Sequence, residues 1–279
     1  MKKILIAGCG YVGNELGERL SSQGHEVWGI KRVINSIHPS IQSISADLSK
    51  KDTLQILPKD IDYVFYMPSP GARNENVYNN VFLKGIRNLV ECMEEKKYDI
   101  KKIFFISSTS VYAQNSGEWI DENSSTKPKS STAKIILQTE NYLLNNYFKT
   151  TIIRFSGIYG PGRTGFLNKM INDGKTFAHN RFTNRIHRDD CANALIHLMN
   201  LPNCENIYLV SDNEPADLSV MASWVMEKRG LKNEELEFLT RIKFTKTESN
   251  KRCSNKKLKE TGYKFLFPTF REGYNSIIE

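Results

Sequence analysis

The stretch that most constrains this 279-residue chain lies at its start. An apolar run, KKILIA (2–7), meets GCGYVG (8–13), and an amphipathic stretch follows to about Gln23. Glycines at G-x-G-x-x-G spacing carry meaning when a strand ends in a tight turn that opens a helix. Gly8 then makes the turn, Gly10 lets the backbone approach a pyrophosphate, and Gly13 lets helix and strand pack closely. The helix start, with Tyr11 and Val12 between those glycines, offers N–H groups and positive potential to phosphates. Cys9 reads as a small filler beside the turn.

A turn of this kind that takes NAD places Asp or Glu about 20 residues on, at the end of the second strand, to bond the ribose 2′-OH. Here the second strand, HEVWGI (25–30), ends in Lys31 and Arg32, with no acid. Two cations suit a 2′-phosphate, Arg through its planar fork of donors. The expected cofactor is NADP, with NAD as the alternative; a solvated strand end is the plain structural reading of the pair.

Further on, apolar runs alternate with amphipathic stretches. IQSISAD (41–47), DYVFYM (62–67), KKIFFIS (101–107), TTIIRF (150–155) and NIYLVS (206–211) read as strands. The segment 77–97 carries Phe82, Ile86, Leu89, Val90 and Met93, an i, i+4, i+7, i+8, i+11 stripe, so a helix with one buried face. Further helices are expected at 135–147, Asp189–Asn200 and Leu218–Gly230. Continuous apolar strands between helices mean a parallel sheet covered on both faces. The expected fold is α/β, a doubly wound parallel sheet with a small C-terminal lobe. Residues 1–161 with about 187–212 form the dinucleotide domain, and about 162–186 with 213–279 form the lobe.

Composition narrows the class of partner. Five cysteines are scattered, with no CxxC or Cys/His cluster at zinc spacing, which suits a reducing compartment and no metal site. MKKILIAGCG reads as a first strand rather than a secretory leader, because its apolar run is short and glycines follow. No apolar stretch approaches membrane-spanning length. The expected location is the cytoplasm, without a membrane partner, as a monomer or homodimer. The net charge is +8, and residues 241–264 hold nine Lys/Arg against two Glu, a local +7. No nucleic-acid motif interrupts that run, so it reads as a solvated face and no nucleic-acid partner is expected.

Five motifs in order carry a resemblance: GCGYVG, ISSTSVY (106–112), RFSGIYGPGR (154–163), NRIHRDDCANAL (184–195) and NKRCSNKKLKETGY (250–263). Together they resemble the extended short-chain dehydrogenase/reductase superfamily, its NAD-dependent epimerase/dehydratase group, and most closely a small atypical bacterial branch. The resemblance covers nearly the whole chain. It implies a Rossmann-like domain binding NAD(P), with the C-terminal lobe closing over a small-molecule substrate. It further implies that Asp47 and Leu48 meet the adenine and that Pro68 and Ser69 pass along the cofactor. Ser108 matches the catalytic Ser/Thr that holds the substrate oxygen. Tyr159, Arg185, His187 and Arg252 fall at substrate-lobe positions. Ser108 could instead merely end a strand, and His187 could be a packing histidine.

Active members of that family carry Tyr-x-x-x-Lys on the next helix. Tyr moves the proton and Lys, one turn on, lowers its pKa. Here the stretch reads PKSSTAKIILQTENYLL, which puts Thr132 at the Tyr place and Ile136 at the Lys place; a frame using Lys134 puts Ser130 there instead. The resemblance also implies a helix Asn, and Phe82 falls roughly at its position. Two functions follow. One is an NADP-dependent oxidoreductase or epimerase on a small polar or sugar-like substrate, with His187, Tyr112 or an ordered water handling the proton. The other is a non-catalytic NAD(P)-binding sensor or regulatory protein. The resemblance leans towards the enzyme.

Overall fold

A computed structural model describes residues 1–165, 181–228, 230 and 249–278. In chain order, β1 (Lys3–Ala7) leads through helix α1 (Tyr11–Ser22) to β2 (Glu26–Lys31), followed by β3 (Gln42–Ser45) and β4 (Tyr63–Tyr66). Helices α2 (Glu75–Tyr78) and α3 (Gly85–Glu95) are joined by a wider π-helical turn over Asn79–Lys84 and lead to β5 (Lys102–Ser108). Then come β6 (Glu118–Ile120), α4 (Ser131–Leu144), β7 (Thr150–Phe155), β8 (Gly157–Tyr159), β9 (Phe182–Thr183) and β10 (Arg185–His187). After the helix Arg188–Asn200 follow β11 (Ile207–Val210), β12 (Ala216–Asp217) and, beyond the helix Leu218–Lys228, β13 (Lys251–Cys253). Helices Lys256–Glu260 and Phe270–Ile278 complete the described elements.

Seven strands form one sheet in the order β3-β2-β1-β4-β5-β7-β11, with every register from β3 to β7 parallel. The chain builds outward from β1 to β3, then crosses back to β4. That reversal makes β1/β4 the switch point, where the carboxyl ends of the strands leave a crevice. The apolar runs are unbroken because these strands are covered on both faces: Ile4, Ile6, Val64, Phe65, Phe104, Phe105, Ile152 and Ile153 are all fully buried. Helix α4 begins at Ser131, ahead of the expected 135. The Ser130 hydroxyl accepts from Ala133 N at 3.3 Å, and a capped but polar first turn shows no apolar period.

The chain divides into two compact units. The first comprises Met1–Tyr112, Ser125–Phe155 and Cys191–Tyr208; the second comprises Ala113–Ser124, Ser156–Asp190 and Leu209–Glu279. Residues 113–124, placed by sequence in the first domain, fold with the second unit. There β6 pairs in parallel with β13, and Gly117 N donates to Asn250 O at 2.9 Å. Residues 156–161 join it as well, since β8 pairs with β10. The second unit has its own core, in which Tyr159, Met221, Val225, Phe270 and Tyr274 pack together. Buried Asp190 ties its loop down by accepting from Tyr263 Oη, Leu266 N and Phe267 N, each at 2.8 Å. Residues 241–248 of the basic segment lie outside the described residues. Among the described residues no helix is long and apolar enough to cross a membrane, and no group of His, Cys, Asp and Glu could hold a metal ion.

Candidate functional site

The turn after β1 is built as its glycines require. Gly8 has φ +93°, and a Cβ there would stand 2.4 Å from Pro68 Cα. Its N–H and that of Cys9 both donate to Ile30 O, at 3.1 and 2.9 Å. At Gly13 a Cβ would meet Ile6 and Met67 side chains at 3.1 and 3.2 Å. Gly10 differs: the nearest atom to a Cβ there is Gly8 O at 3.8 Å, so this face is open. Helix α1 starts with no side-chain cap and no acid in its first turn, where Tyr11, Val12 and Gly13 lie. Asn14 pins the loop after β2, donating to Ser36 O at 2.7 Å and accepting from His38 N at 3.0 Å. Burial pushes the Cys9 thiol up to about 12, which fits a filler rather than a nucleophile.

From this turn a cleft of about 390 Å³ runs across the carboxyl ends of β1, β2 and β4. Gly8, Gly10, Lys31, Arg32, Asp47, Leu48, Pro68 and Ser69 all line it. Arg32 is exposed, while Lys31 Nζ turns to the Ser36 hydroxyl. Burial would raise the Asp47 carboxyl, but bonds from the Ser49 hydroxyl and N–H, with Arg32 and Lys50 nearby, hold it below the usual carboxylate range.

Asn80 also lines the cleft, and the sequence reading missed it. Phe82 is buried against Phe105 and Tyr78. The π-turn Asn79–Lys84 adds a residue to the helical register, with Gly85 N reaching back to Asn80 O. Tyr66 Oη donates to Val81 O within it at 2.5 Å and stands 2.4 Å from where a Gly85 Cβ would be. The signal available in sequence was the pairing of Tyr66 with Gly85, which no periodicity reveals.

Ser108 closes β5. Its Oγ accepts from Ser110 N at 3.1 Å, capping a short turn over Thr109–Val111. The cap uses an oxygen lone pair and leaves the O–H proton to donate. Helix α4 packs on that turn. Thr132 is half-buried with Oγ1 at 3.3 Å from Ser130 Oγ, and Ile136 is buried. Below them lies a buried polar network. Arg154 donates to Glu140 from Nε and Nη2 at 3.0 and 2.6 Å and to Tyr112 Oη from Nη1 at 2.8 Å. The Ser107 hydroxyl donates to the same carboxylate. Tyr112 is buried, and its hydroxyl accepts from Arg154.

In the second unit Tyr159 and His187 meet edge-to-face at 5.3 Å, and Tyr159 stacks on Tyr274 at 4.2 Å. His187 is buried, with Nδ1 accepting from Asp189 N at 3.2 Å. Burial, with Asp212 and Tyr274 close by, raises the Tyr159 phenol far above its ordinary range. The Tyr159 phenol is therefore not poised to exchange a proton near neutral pH. Arg185 is half-buried, within electrostatic reach of Tyr274, Asp212 and Tyr159. Arg252 is apart from this group, against Phe182 and Trp119.

Comparison with known proteins agrees with this architecture. The chain is 28% identical over 221 residues to Protein YeeZ of Escherichia coli, covering 75% of this chain and 77% of that protein. A solved structure from Methylobacillus flagellatus, assigned by family to the NAD-dependent epimerase/dehydratases, is 32% identical, covers 99% of this chain and 97% of its own, and superposes with a TM-score of 0.82. UDP-glucuronic acid 4-epimerase from Bacillus cereus, in complex with NAD, shares the fold at 19% identity, with coverage of 99% and 97% and a TM-score of 0.75. The family pattern itself spans residues 4–210, and the chain belongs to the NAD dependent epimerase/dehydratase family.

Proposed function

We propose that the protein binds NADP(H) in the cleft at β1, β2 and β4 and serves as an oxidoreductase or epimerase on a small polar or sugar-like substrate. The observation that supports this best is the end of β2, where Arg32 is exposed in the cleft and no carboxylate occupies the place of a ribose ligand. The cradle fits a dinucleotide: Gly10 is open to a pyrophosphate, and α1 starts uncapped. Arg32, with Lys31 beside it, would take the 2′-phosphate. Asp47 and Leu48 would meet the adenine, and Pro68, Ser69 and Asn80 would follow the chain towards the reacting end.

The bound cofactor supplies hydride transfer. Ser108 would donate its O–H to a substrate carbonyl or hydroxyl oxygen, with its own oxygen fixed by Ser110 N. Thr132 cannot serve as the acid, because its hydroxyl lies far from a tunable pKa and Ile136 brings no positive charge. The proton would go to ordered water. Relatives that act on nucleotide sugars, such as the Bacillus cereus epimerase, suggest a sugar-like substrate.

A second reading, a cofactor-binding sensor, is favoured by Thr132, Ile136 and the enclosure of Tyr112. The two are separated by titrating NADPH and NADH by fluorescence and then assaying aldehydes, ketones and nucleotide sugars. NADPH is expected to bind tighter. Arg32→Ala should weaken it by about 1.5–3 kcal/mol, the range for charge-assisted bonds. Equal affinity for the two cofactors in the wild type would sink the NADP assignment. Tight NADPH binding without turnover of any substrate would favour the sensor.

A further inference from the structure

The loop that follows β2 is fastened to helix α1 along its length. Asn14, Glu18 and Ser21 stand at i, i+4 and i+7, so they share one face of that helix. Asn14 Nδ2 donates to Ser36 O at 2.7 Å, and Asn14 Oδ1 accepts from His38 N at 3.0 Å. Glu18 Oε1 lies 3.7 Å from His38 Nε2. Ser21 Oγ donates to Ser40 O at 3.0 Å. Inside the loop a short turn over Ile34–Ser36 closes with Ile37 N donating to Ile34 O at 2.9 Å. At its start Ser45 Oγ donates to Arg32 O at 3.3 Å.

The Asn14 contact is the most demanding of these. It uses an amide donor and an amide acceptor at once, on a carbonyl and an N–H two residues apart in the loop. Aspartate lacks that donor, and serine is shorter by the carbonyl carbon that spreads the two groups. Asn14 also sits directly after Gly13, with its own N–H donating to Gly10 O at 2.8 Å. The helical turn that opens towards a pyrophosphate is therefore the turn that holds the loop. What the loop presents is Ser36, whose Oγ accepts from Lys31 Nζ and keeps its own O–H to donate. Lys31 and Arg32 both line the cleft.

We propose that Asn14 is a positioning residue for cofactor choice: by holding Ser36 and His38 on α1, it fixes Ser36 and Lys31 beside Arg32 as a prebuilt seat for the 2′-phosphate. This rests on the reading above that the cofactor is NADP(H). It adds that the choice is made partly by α1, one residue beyond the glycine turn, and not by the basic pair alone. A loop ordered in advance does not have to be ordered when the ligand binds. NADH, without that phosphate, makes no use of the seat.

The test titrates NADPH and NADH by fluorescence against the full chain as wild type, Asn14→Ala, Arg32→Ala and the double variant. Asn14→Ala should weaken NADPH about 5- to 30-fold, through the lost bonds to the loop and the lost ordering, and change NADH by no more than about twofold. Damage to the glycine turn would instead weaken both cofactors together, and that outcome overturns the proposal. In the Arg32→Ala background, Asn14→Ala should add less than about threefold, because both residues act on one phosphate; full additivity overturns it. Without cofactor, amide exchange over residues 33–40 should be at least about tenfold faster in Asn14→Ala than in the wild type, and unchanged exchange overturns it. If Asn14→Ala does not fold, Ser36→Ala at its exposed position decides. It should weaken NADPH about threefold or more and spare NADH, and wild-type affinity for NADPH overturns the proposal. Equal binding of the two cofactors by the wild type removes the NADP reading and this proposal with it. A wild-type preference that Arg32→Ala abolishes and Asn14→Ala keeps overturns this proposal alone.

Discussion

The turn after β1 and the junction of β5 with α4 sit in the same unit, and both are dry and well packed beneath. They differ in what they present. The turn is rigid behind and open in front, with Gly8 pressed on Pro68 while Gly10 faces space. At the junction Ser108 remains, but the helix face beside it offers Thr132 and buried Ile136, and the buried charges below point at one another. Scaffold and chemistry are therefore separable. A site can keep the framework that placed its reacting groups after the groups have changed.

The largest expected effect breaks that framework at the junction. Arg154→Met would strand Glu140 without its bidentate partner, with only the Ser107 hydroxyl remaining in the dry interior. Removing one partner of a buried pair costs about 3–5 kcal/mol, much of it the unpaired charge left behind. Urea unfolding should show that loss, while replacing both partners by apolar residues should recover much of it. A loss below about 1 kcal/mol for the single variant would mean that water reaches Glu140 and that the network is not dry.

Next come the two glycines of the turn, which should respond oppositely. Gly8→Ala requires a positive φ and a displaced Pro68, and should cost about 2–4 kcal/mol of stability. Gly10→Ala meets nothing closer than 3.8 Å and should leave stability within about 0.5 kcal/mol. It should nonetheless weaken NADPH, because the methyl would occupy the face that a pyrophosphate needs. If both variants lose stability equally, the open face at Gly10 is not open.

The same contrast explains what could be read from the sequence. The turn, the strands and the amphipathic stripe were legible because each is local: spacing, apolar runs and period encode them directly. Asn80 was not, because a π-turn shifts the helix register by one and its cause, Tyr66 against Gly85, spans separate elements. Residues 113–124 looked like a continuation of the first domain, since nothing nearby in sequence announces that Gly117 will pair with Asn250. Tyr112 reads from the sequence as an available proton donor, because its burial beside Arg154 is a tertiary property. Local encoding gave the cofactor turn; long-range contacts decided the state of the junction.

The smallest expected effect is the sharpest test of that junction. In an active tyrosine-dependent relative, removing the acid–base residue forfeits general acid–base help, typically about 10²- to 10⁴-fold in rate. Thr132 has no such help to lose. Its Oγ1 has a contact 3.3 Å away with the Ser130 hydroxyl, at the edge of hydrogen-bonding range, and it is only half-buried. Thr132→Ala should shift stability by less than about 0.5 kcal/mol, with the alanine's better helix propensity offsetting the lost contact. Any activity found with NADPH should change by no more than about twofold, whereas Ser108→Ala should abolish it. A 100-fold loss in Thr132→Ala, with folding and NADPH affinity intact, would show that the hydroxyl is part of a proton path, and the separation of scaffold from chemistry would fail at this site. The converse substitution is not its mirror image. Substituting both positions as Thr132→Tyr with Ile136→Lys would bury an ammonium where Ile136 is now enclosed, and Glu140, the carboxylate one turn on, is already committed to Arg154, so the desolvation cost is left uncompensated. Thr132→Ala therefore probes the hydroxyl without disturbing the buried face of the helix, where Ile136 lies.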